Sequence, residues 1–346
     1  VAKQKKVSGI NPLKEDLKTG HIGRLYIFHG EEKYLLEHYL GLLKSRLVSP
    51  ETEQFNYIVF DGREMSLEEL ADAVEALPVF SDRKLIAVKD FDLYGAGEAE
   101  REVLHDLISD IPDSTCLVFV YDTLEYKADL RKKIRKAVLD AGKIIEFGVQ
   151  ETSDLVAWLK RRFRALEKTI DTPEAEYMLF ICGKLMQPLT LEVEKVAAYS
   201  KSERISRSDI DAVCYPVIEA VMYNMTDAVA EQRYGDAIKI LKDLLAMKSE
   251  PIILLAALGK QLRNLLYTRI LMDSGDPGKF LREKLGITYP FVIRKMIGNA
   301  RSFSEEWLTN AVQLCAEADL RMKTTADDNG EILELLILRL GDRGTV

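Results

Sequence analysis

At 346 residues the chain exceeds what one ordinary hydrophobic core supports, so two or three domains are expected. Its 47% apolar content and net charge of −8, from 56 acidic against 48 basic residues, describe a soluble globular protein and argue against wholesale wrapping by nucleic acid; only a local basic face is left to meet phosphates. No apolar run approaches the roughly 20 residues that span a bilayer, so no membrane association is expected. No apolar segment follows Lys3, Lys5 and Lys6, so no secretory leader is expected either. Cys116, Cys182, Cys214 and Cys315 are far apart and show neither a CxxC metal pair nor a secreted framework, which reads as reduced thiols in a cytoplasmic protein with no metal site.

In chain order, residues up to about Gly20 read as a polar lead-in. Leu25-Tyr26-Ile27-Phe28 is a short strand ending at His29-Gly30, followed by a helix from Glu31 to about Leu47 with Tyr34, Leu35, Tyr39, Leu42 and Leu43 on its apolar side. Tyr57 to Phe60 is a second strand. Ser66 and Glu69 are spaced as a capping box and start a helix, whose apolar face is Leu67, Leu70, Ala71, Val74 and Leu77. Pro78 has no backbone donor and biases Leu77 away from helical geometry, so this helix stops there.

Between that helix and a buried strand at Leu85 to Val88, two large apolar residues, Val79 and Phe80, occupy a short turn with Ser81, Asp82 and Arg83. One reading makes them a plug for a partner's pocket; the other tucks them into the core at a helix-to-strand corner. A helix from Glu98 to Ser109, a strand at Cys116 to Tyr121, a Lys/Arg-rich helix from Lys127 to Lys136 and a strand at Lys143 to Phe147 complete an alternating pattern. Strands alternating with helices imply a mostly parallel sheet covered on both faces. Beyond Phe147 the strand signal ends. Thr152 to Leu166 and two or three short helices run to about Cys214, and from Pro216 everything reads as amphipathic helix, with loops at Gly275 to Gly278 and at Tyr289-Pro290 and with Ser304 capping a long helix. The expected division is 1–150, 151–214 and 215–346.

Catalytic signals are thin. A phosphate loop after the first strand needs several glycines, then Lys and Ser/Thr. Here the turn is His29-Gly30-Glu31-Glu32-Lys33-Tyr34, with one glycine, no hydroxyl after Lys33, and two carboxylates at a helix N-terminus where phosphate would bind. The histidines His21, His29, His38 and His105 lack metal-ligand spacing. Asp122 reads as a strand-end turn residue, not a magnesium ligand. No catalytic residue, cofactor or metal is expected, and the first domain reads as an NTPase scaffold whose nucleotide site is lost. Lys160, Arg161, Arg162 and Arg164 read as a solvated helix face. Gln261 and Arg263, with Lys260 and Arg269, fall on one amphipathic helix that faces either another subunit or phosphate.

Several stretches, in their order and spacing, carry a family resemblance: Leu25 to Glu37, Leu77 to Leu85, Glu250 to Leu255 with Gln261-Leu262-Arg263, Leu285-Gly286 with Pro290-Phe291-Val292, Arg301 to Ser304, and Ala318 to Lys323. With these the chain resembles the delta subunits of bacterial DNA polymerase III clamp loaders over nearly its whole length. The resemblance implies an α/β plus all-α architecture: a RecA-like, AAA+-type parallel-sheet domain, a small helical lid and a C-terminal helical collar. It implies a subunit that does not hydrolyse ATP and works with the ring-shaped sliding clamp (beta), the gamma/tau ATPase subunits, delta-prime and primed DNA. It assigns clamp binding to Leu77, Pro78, Val79 and Phe80, the turn that enters a hydrophobic clamp pocket and helps open the ring; Gln261, Arg263 and Lys323 are candidates for a subunit or DNA contact. Val79 departs from the commoner leucine, and Gln187 to Leu191 departs from the usual glycine-containing lid pattern. The alternative is a non-catalytic helical adaptor built on a decayed NTPase core.

Overall fold

Five short apolar runs become the strands of one parallel sheet: β1 (Leu25–His29), β2 (Tyr57–Asp61), β3 (Lys84–Lys89), β4 (Thr115–Val120) and β5 (Gly142–Glu146), in the order β2-β3-β4-β1-β5. Leu25 pairs with Leu117 on one side and Gly142 on the other, and Leu85 lies between Tyr57 and Cys116. This computed structural model describes residues 9–95, 97–127, 133–272, 275–287 and 289–341. Side chains alternate across the pleat, so β1 feeds two cores. Leu25 and Ile27 meet Leu70, Val74, Leu104, Ile108 and Val138, while Tyr26 and Phe28 meet Leu13, Leu36, Leu40, Leu43 and Phe147. Helices α1 (Asn11–Thr19) and α2 (Lys33–Leu47) therefore cover one face; α4 (Leu67–Glu75), α5 (Glu98–Ser109) and α6 (Lys133–Ala141) cover the other. The short α3 (Glu53–Asn56) leads into β2.

Two expectations need correction. From Asn11 on the lead-in is helical: α1 carries Pro12 in its first turn, ends on Gly20 at φ +78°, and buries Leu13. Its Asp16 is also buried, accepting from the Tyr26 hydroxyl at 2.7 Å and from Lys143 Nζ at 2.6 Å, partners a sequence reading cannot supply. Helix α2 begins at Lys33 and buries Leu36, Leu40 and Leu43; the expected face is rotated, with Leu42 exposed and Tyr34, Leu35 and Tyr39 half-buried. The basic helix expected from Lys127 to Lys136 is described from Lys133 on, and its residues 128–132 lie outside the described residues.

The chain divides into two compact units, one reaching Glu151 and including Lys184–Thr190, the other Thr152–Gly183 with Leu191 onward. The first helices after the sheet are α7 (Thr152–Ala165), α8 (Thr172–Cys182), α9 (Met186–Tyr199) and α10 (Arg207–Val213). They are followed by α11 (Ile218–Ala230), α12 (Tyr234–Ala246), α13 (Pro251–Met272), α14 (Pro277–Glu283), α15 (Pro290–Arg301), α16 (Glu305–Thr324) and α17 (Asn329–Gly341). One core runs through them, with Leu254, Leu258 and Leu262 of α13, Leu308, Ala311 and Cys315 of α16, and Ile332 and Leu336 of α17. The Gly275–Gly278 loop is shorter than expected because Asp276 caps α14, accepting from Lys279 N–H at 3.0 Å. Ser304 caps α16 as expected, accepting from Trp307 N–H at 3.1 Å. Among the described residues no helix is long and apolar enough to cross a membrane.

Candidate functional site

The corner between α4 and β3 is built from both of its ends. Helix α4 opens on the expected capping box: Ser66 Oγ accepts from Glu69 N–H at 3.2 Å, and Glu69 Oε2 accepts from Ser66 N–H at 2.9 Å. It closes at Glu75, earlier than its apolar spacing suggests. Buried Lys84, the first residue of β3, donates its ammonium to the carbonyls of Ala73 and Ala76, and Thr115 Oγ1 donates to the Val74 carbonyl at 3.0 Å. These partners satisfy the carbonyls that a helix end leaves unpaired. Burial lowers the Lys84 pKa, a cost that its hydrogen bonds offset.

Leu77 is therefore not on the helix face. It leaves the helix ahead of Pro78 and is 82% exposed. Val79 is held by its backbone: Asn56 Oδ1 accepts from Val79 N–H at 2.8 Å, and Asn56 Nδ2 donates to Val79 O at 2.8 Å. The Asn56 residue is itself fully buried at the end of α3. Phe80 follows at φ +51°, a region that costs a bulky residue about 1–2 kcal/mol, and its side chain is 96% exposed. Arg83 turns inward, donating to Ile22 O at 2.7 Å and Gly23 O at 3.0 Å, so it anchors the corner's root. The result is a rigid backbone carrying Leu77 and Phe80 outward. The bland reading, which tucks Val79 and Phe80 into the core, does not describe Phe80, while Val79 is 37% exposed. Asn56 and Thr115 escape sequence reasoning because each acts on a segment distant in the chain, and Lys84 because a buried lysine has no local signal.

At the C-terminal end of β1, Gly30 adopts φ +130°, and a Cβ there would stand 2.3 Å from Phe147 O. Glu32 N–H donates to that same carbonyl at 2.9 Å. The Glu32 side chain is buried, accepts from Met186 N–H at 3.1 Å, and has its pKa raised by desolvation. Lys33 Nζ donates to Tyr121 O at 2.8 Å and stands 3.9 Å from the Asp122 carboxylate. Asp122 sits in a turn organised by Asp90, whose carboxylate accepts from the N–H groups of Asp122, Thr123 and Leu124. His29 stacks on Tyr126 with ring centroids 4.4 Å apart. Burial, and secondarily the charge of Lys33, lowers the His29 pKa to about 4, so the imidazole is neutral at pH 7. The turn thus presents its own carboxylates at the start of α2, with its lysine already engaged.

The other candidates lie on the helical unit. Gln261 is half-buried and Arg263 exposed on α13, with Arg263 Nη1 and Cys315 Cβ both close to Gly259. Lys323 is exposed on α16 and pairs with Asp319 at 2.7 Å. It lies eight residues past Cys315, roughly 12 Å along the helix. No contact joins it to Arg263 or Gln261 among those described.

The parallel sheet, covered on both faces and followed by helices to the end of the described chain, makes this an α/β domain joined to an all-α region. Residues 26–146 match the family model "DNA polymerase III, delta subunit", and residues 219–340 match that for the C-terminal domain of the same subunit. The chain belongs to the DNA polymerase III delta-subunit family, a family of clamp-loader components that serve DNA replication. DNA polymerase III subunit delta of Bacillus subtilis is 27% identical over 94% of this chain and 95% of its own length. A probable counterpart in Aquifex aeolicus is 25% identical over 90% and 89%. The solved structure of the Bacillus subtilis DNA clamp loader delta protein covers 96% of this chain and all of its own, at 26% identity and a TM-score of 0.50.

Proposed function

We propose that this chain binds the sliding clamp through Leu77, Pro78, Val79 and Phe80 and helps open the ring for loading onto primed DNA, without hydrolysing ATP itself. The observation that carries this reading is a corner whose backbone is tied down by Asn56, Lys84 and Arg83 while Leu77 and Phe80 stand 82% and 96% exposed. Preorganisation of this kind lowers the ordering cost of association. Burying two such side chains contributes about 3–6 kcal/mol, against about 8 kcal/mol for micromolar binding. The corner is then a hot spot within a larger interface. It opens a ring only by binding the open form more tightly than the closed one.

The buried Glu32 and the engaged Lys33 support a turn that takes no ATP; nucleotide is held by sister subunits of the gamma/tau type, with delta-prime completing the assembly. On this reading residues 1–150 form the degenerate AAA+ domain with the clamp-binding element, 151–214 the lid and 215–346 the collar that meets the sisters. Gln261, Arg263 and Lys323 remain candidates for subunit or DNA contact, and the setting is cytoplasmic. The test is calorimetric binding of the full chain to its organism's sliding clamp. Leu77→Ala with Phe80→Ala is expected to weaken binding at least about a hundredfold, or about 2.8 kcal/mol. Affinity unchanged within threefold would place the interface elsewhere.

A further inference from the structure

The cysteines, dispersed in sequence, do not stay dispersed. Cys182 ends α8, where Gly183 at φ +82° turns the chain; Cys214 follows α10, its N–H bonded to Ile210 O at 2.9 Å. Two ties bring these ends together: Val217 N–H donates to Ile181 O at 2.7 Å, and Lys195 Nζ donates to Val213 O at 3.1 Å. Glu192, on α9, completes the cluster. One ligand atom from each of Cys182, Glu192 and Cys214 lies within 4.8 Å of the others. Both cysteines are more than nine-tenths buried. Glu192 Oε1 pairs with Lys195 Nζ at 2.8 Å, while its Oε2 is buried with no hydrogen-bond partner among the described residues.

We infer that Cys182, Cys214 and Glu192 form a site for a thiophilic divalent cation of the zinc type, with solvent as the fourth ligand. Zinc–sulfur bonds of about 2.3 Å and zinc–oxygen bonds of about 2.0–2.2 Å set tetrahedral donors roughly 3.5–3.8 Å apart, so the donors need move only slightly. Charge also balances: two thiolates and one carboxylate against a dication and the Lys195 ammonium sum to zero. Metal entry displaces one proton from each thiol to solvent, and no redox change occurs. The Glu192 carboxylate beside both thiols separates this site from a simple dithiol, because a disulfide has no use for a carboxylate at that position. The bound ion ties α8, α9 and the end of α10 together.

The test is titration of the fully reduced, full-length chain with Co²⁺. One equivalent should bind with a sulfur-to-cobalt charge-transfer band and tetrahedral visible bands, release close to two protons, and be displaced by Zn²⁺. Cys214→Ser should weaken binding more than about 100-fold and Glu192→Gln about 10- to 100-fold. Glu192→Gln leaves both thiols in place and so answers the question even if the cysteine variant folds poorly. Cys116→Ser and Cys315→Ser should leave the bands unchanged. Three results overturn the proposal: no charge-transfer band, a band that Cys182→Ser with Cys214→Ser fails to remove, or affinity unchanged by Glu192→Gln. Peptide mass mapping that finds Cys182 disulfide-bonded to Cys214 in the chain as isolated would overturn it as well.

Discussion

Single residues at the C-terminal end of β1 show how burial sets chemistry. His29 is held neutral by desolvation and by Lys33, and its Nε2 is buried with no hydrogen-bond partner among the described residues. Its folded pKa of about 4 lies below the ordinary value of 6.5. Between those values the unfolded chain binds the extra proton, so folding stability falls as pH drops through this window and is intact above it. The span corresponds to at most about 3 kcal/mol. Glu32 acts in the opposite sense, because its raised pKa lets the folded state hold a proton as pH rises past its ordinary value of 4.5. The difference between wild type and His29→Phe isolates the histidine. Urea unfolding at pH 7 and pH 4.5 should show the wild type losing about 2–3 kcal/mol more than the variant, whose phenyl ring keeps the stack on Tyr126. Equal losses would mean that the imidazole titrates normally.

At the scale of the element, α4 separates stability from presentation. Its N-terminal box, Ser66 with Glu69, lies at the far end of the helix from Leu77 to Phe80. The Asn56 clamp on Val79 lies at the corner itself. Ser66→Ala should cost about 1 kcal/mol of stability and leave clamp affinity within twofold. Asn56→Ala strands a backbone donor and acceptor, costing about 1–3 kcal/mol, and should also weaken clamp binding about tenfold. Denaturant melts and calorimetry on both variants make the comparison; equal effects on affinity would show that rigidity of the corner contributes nothing to binding. The same element marks how far the sequence is legible. The capping box, the proline stop and two unsatisfied apolar residues on a turn are local signals, and local chemistry decides them. That Leu77 leaves the apolar face is settled by Lys84, and that Val79 is pinned is settled by Asn56, which is 23 residues away in the chain. The rotated face of α2 has a similar origin, since Tyr34, Leu35 and Tyr39 are apolar enough to be counted inward yet are only half-buried.

For the whole molecule, the question is whether a parallel sheet of this strand order carries a nucleotide site. The strands and their parallel pairing were legible as alternation of strand and helix, because buried parallel strands write themselves as continuous apolar runs; the order β2-β3-β4-β1-β5 and the register come from the structure alone. The sequence also reads the turn after β1 as lacking the glycines and hydroxyl of a phosphate loop, which remains an expectation. What the structure adds is that the turn is filled by its own chemistry. Gly30 allows a close approach to Phe147, and Glu32 accepts from Met186 N–H. Lys33 already donates to Tyr121 O. A triphosphate would have to displace that lysine, desolvate beside two carboxylates, and find one glycine where its cradle needs several. The isolated chain is therefore expected to show no magnesium-dependent binding of a fluorescent ATP analogue below about 1 mM, a threshold of about 4 kcal/mol. Glu32→Gln should not rescue it, since removing one charge restores neither the glycines nor the hydroxyl that holds magnesium. Micromolar, magnesium-dependent binding by the wild type would show that a phosphate site exists elsewhere on this sheet. The proposal that sister subunits hold the nucleotide would then fall.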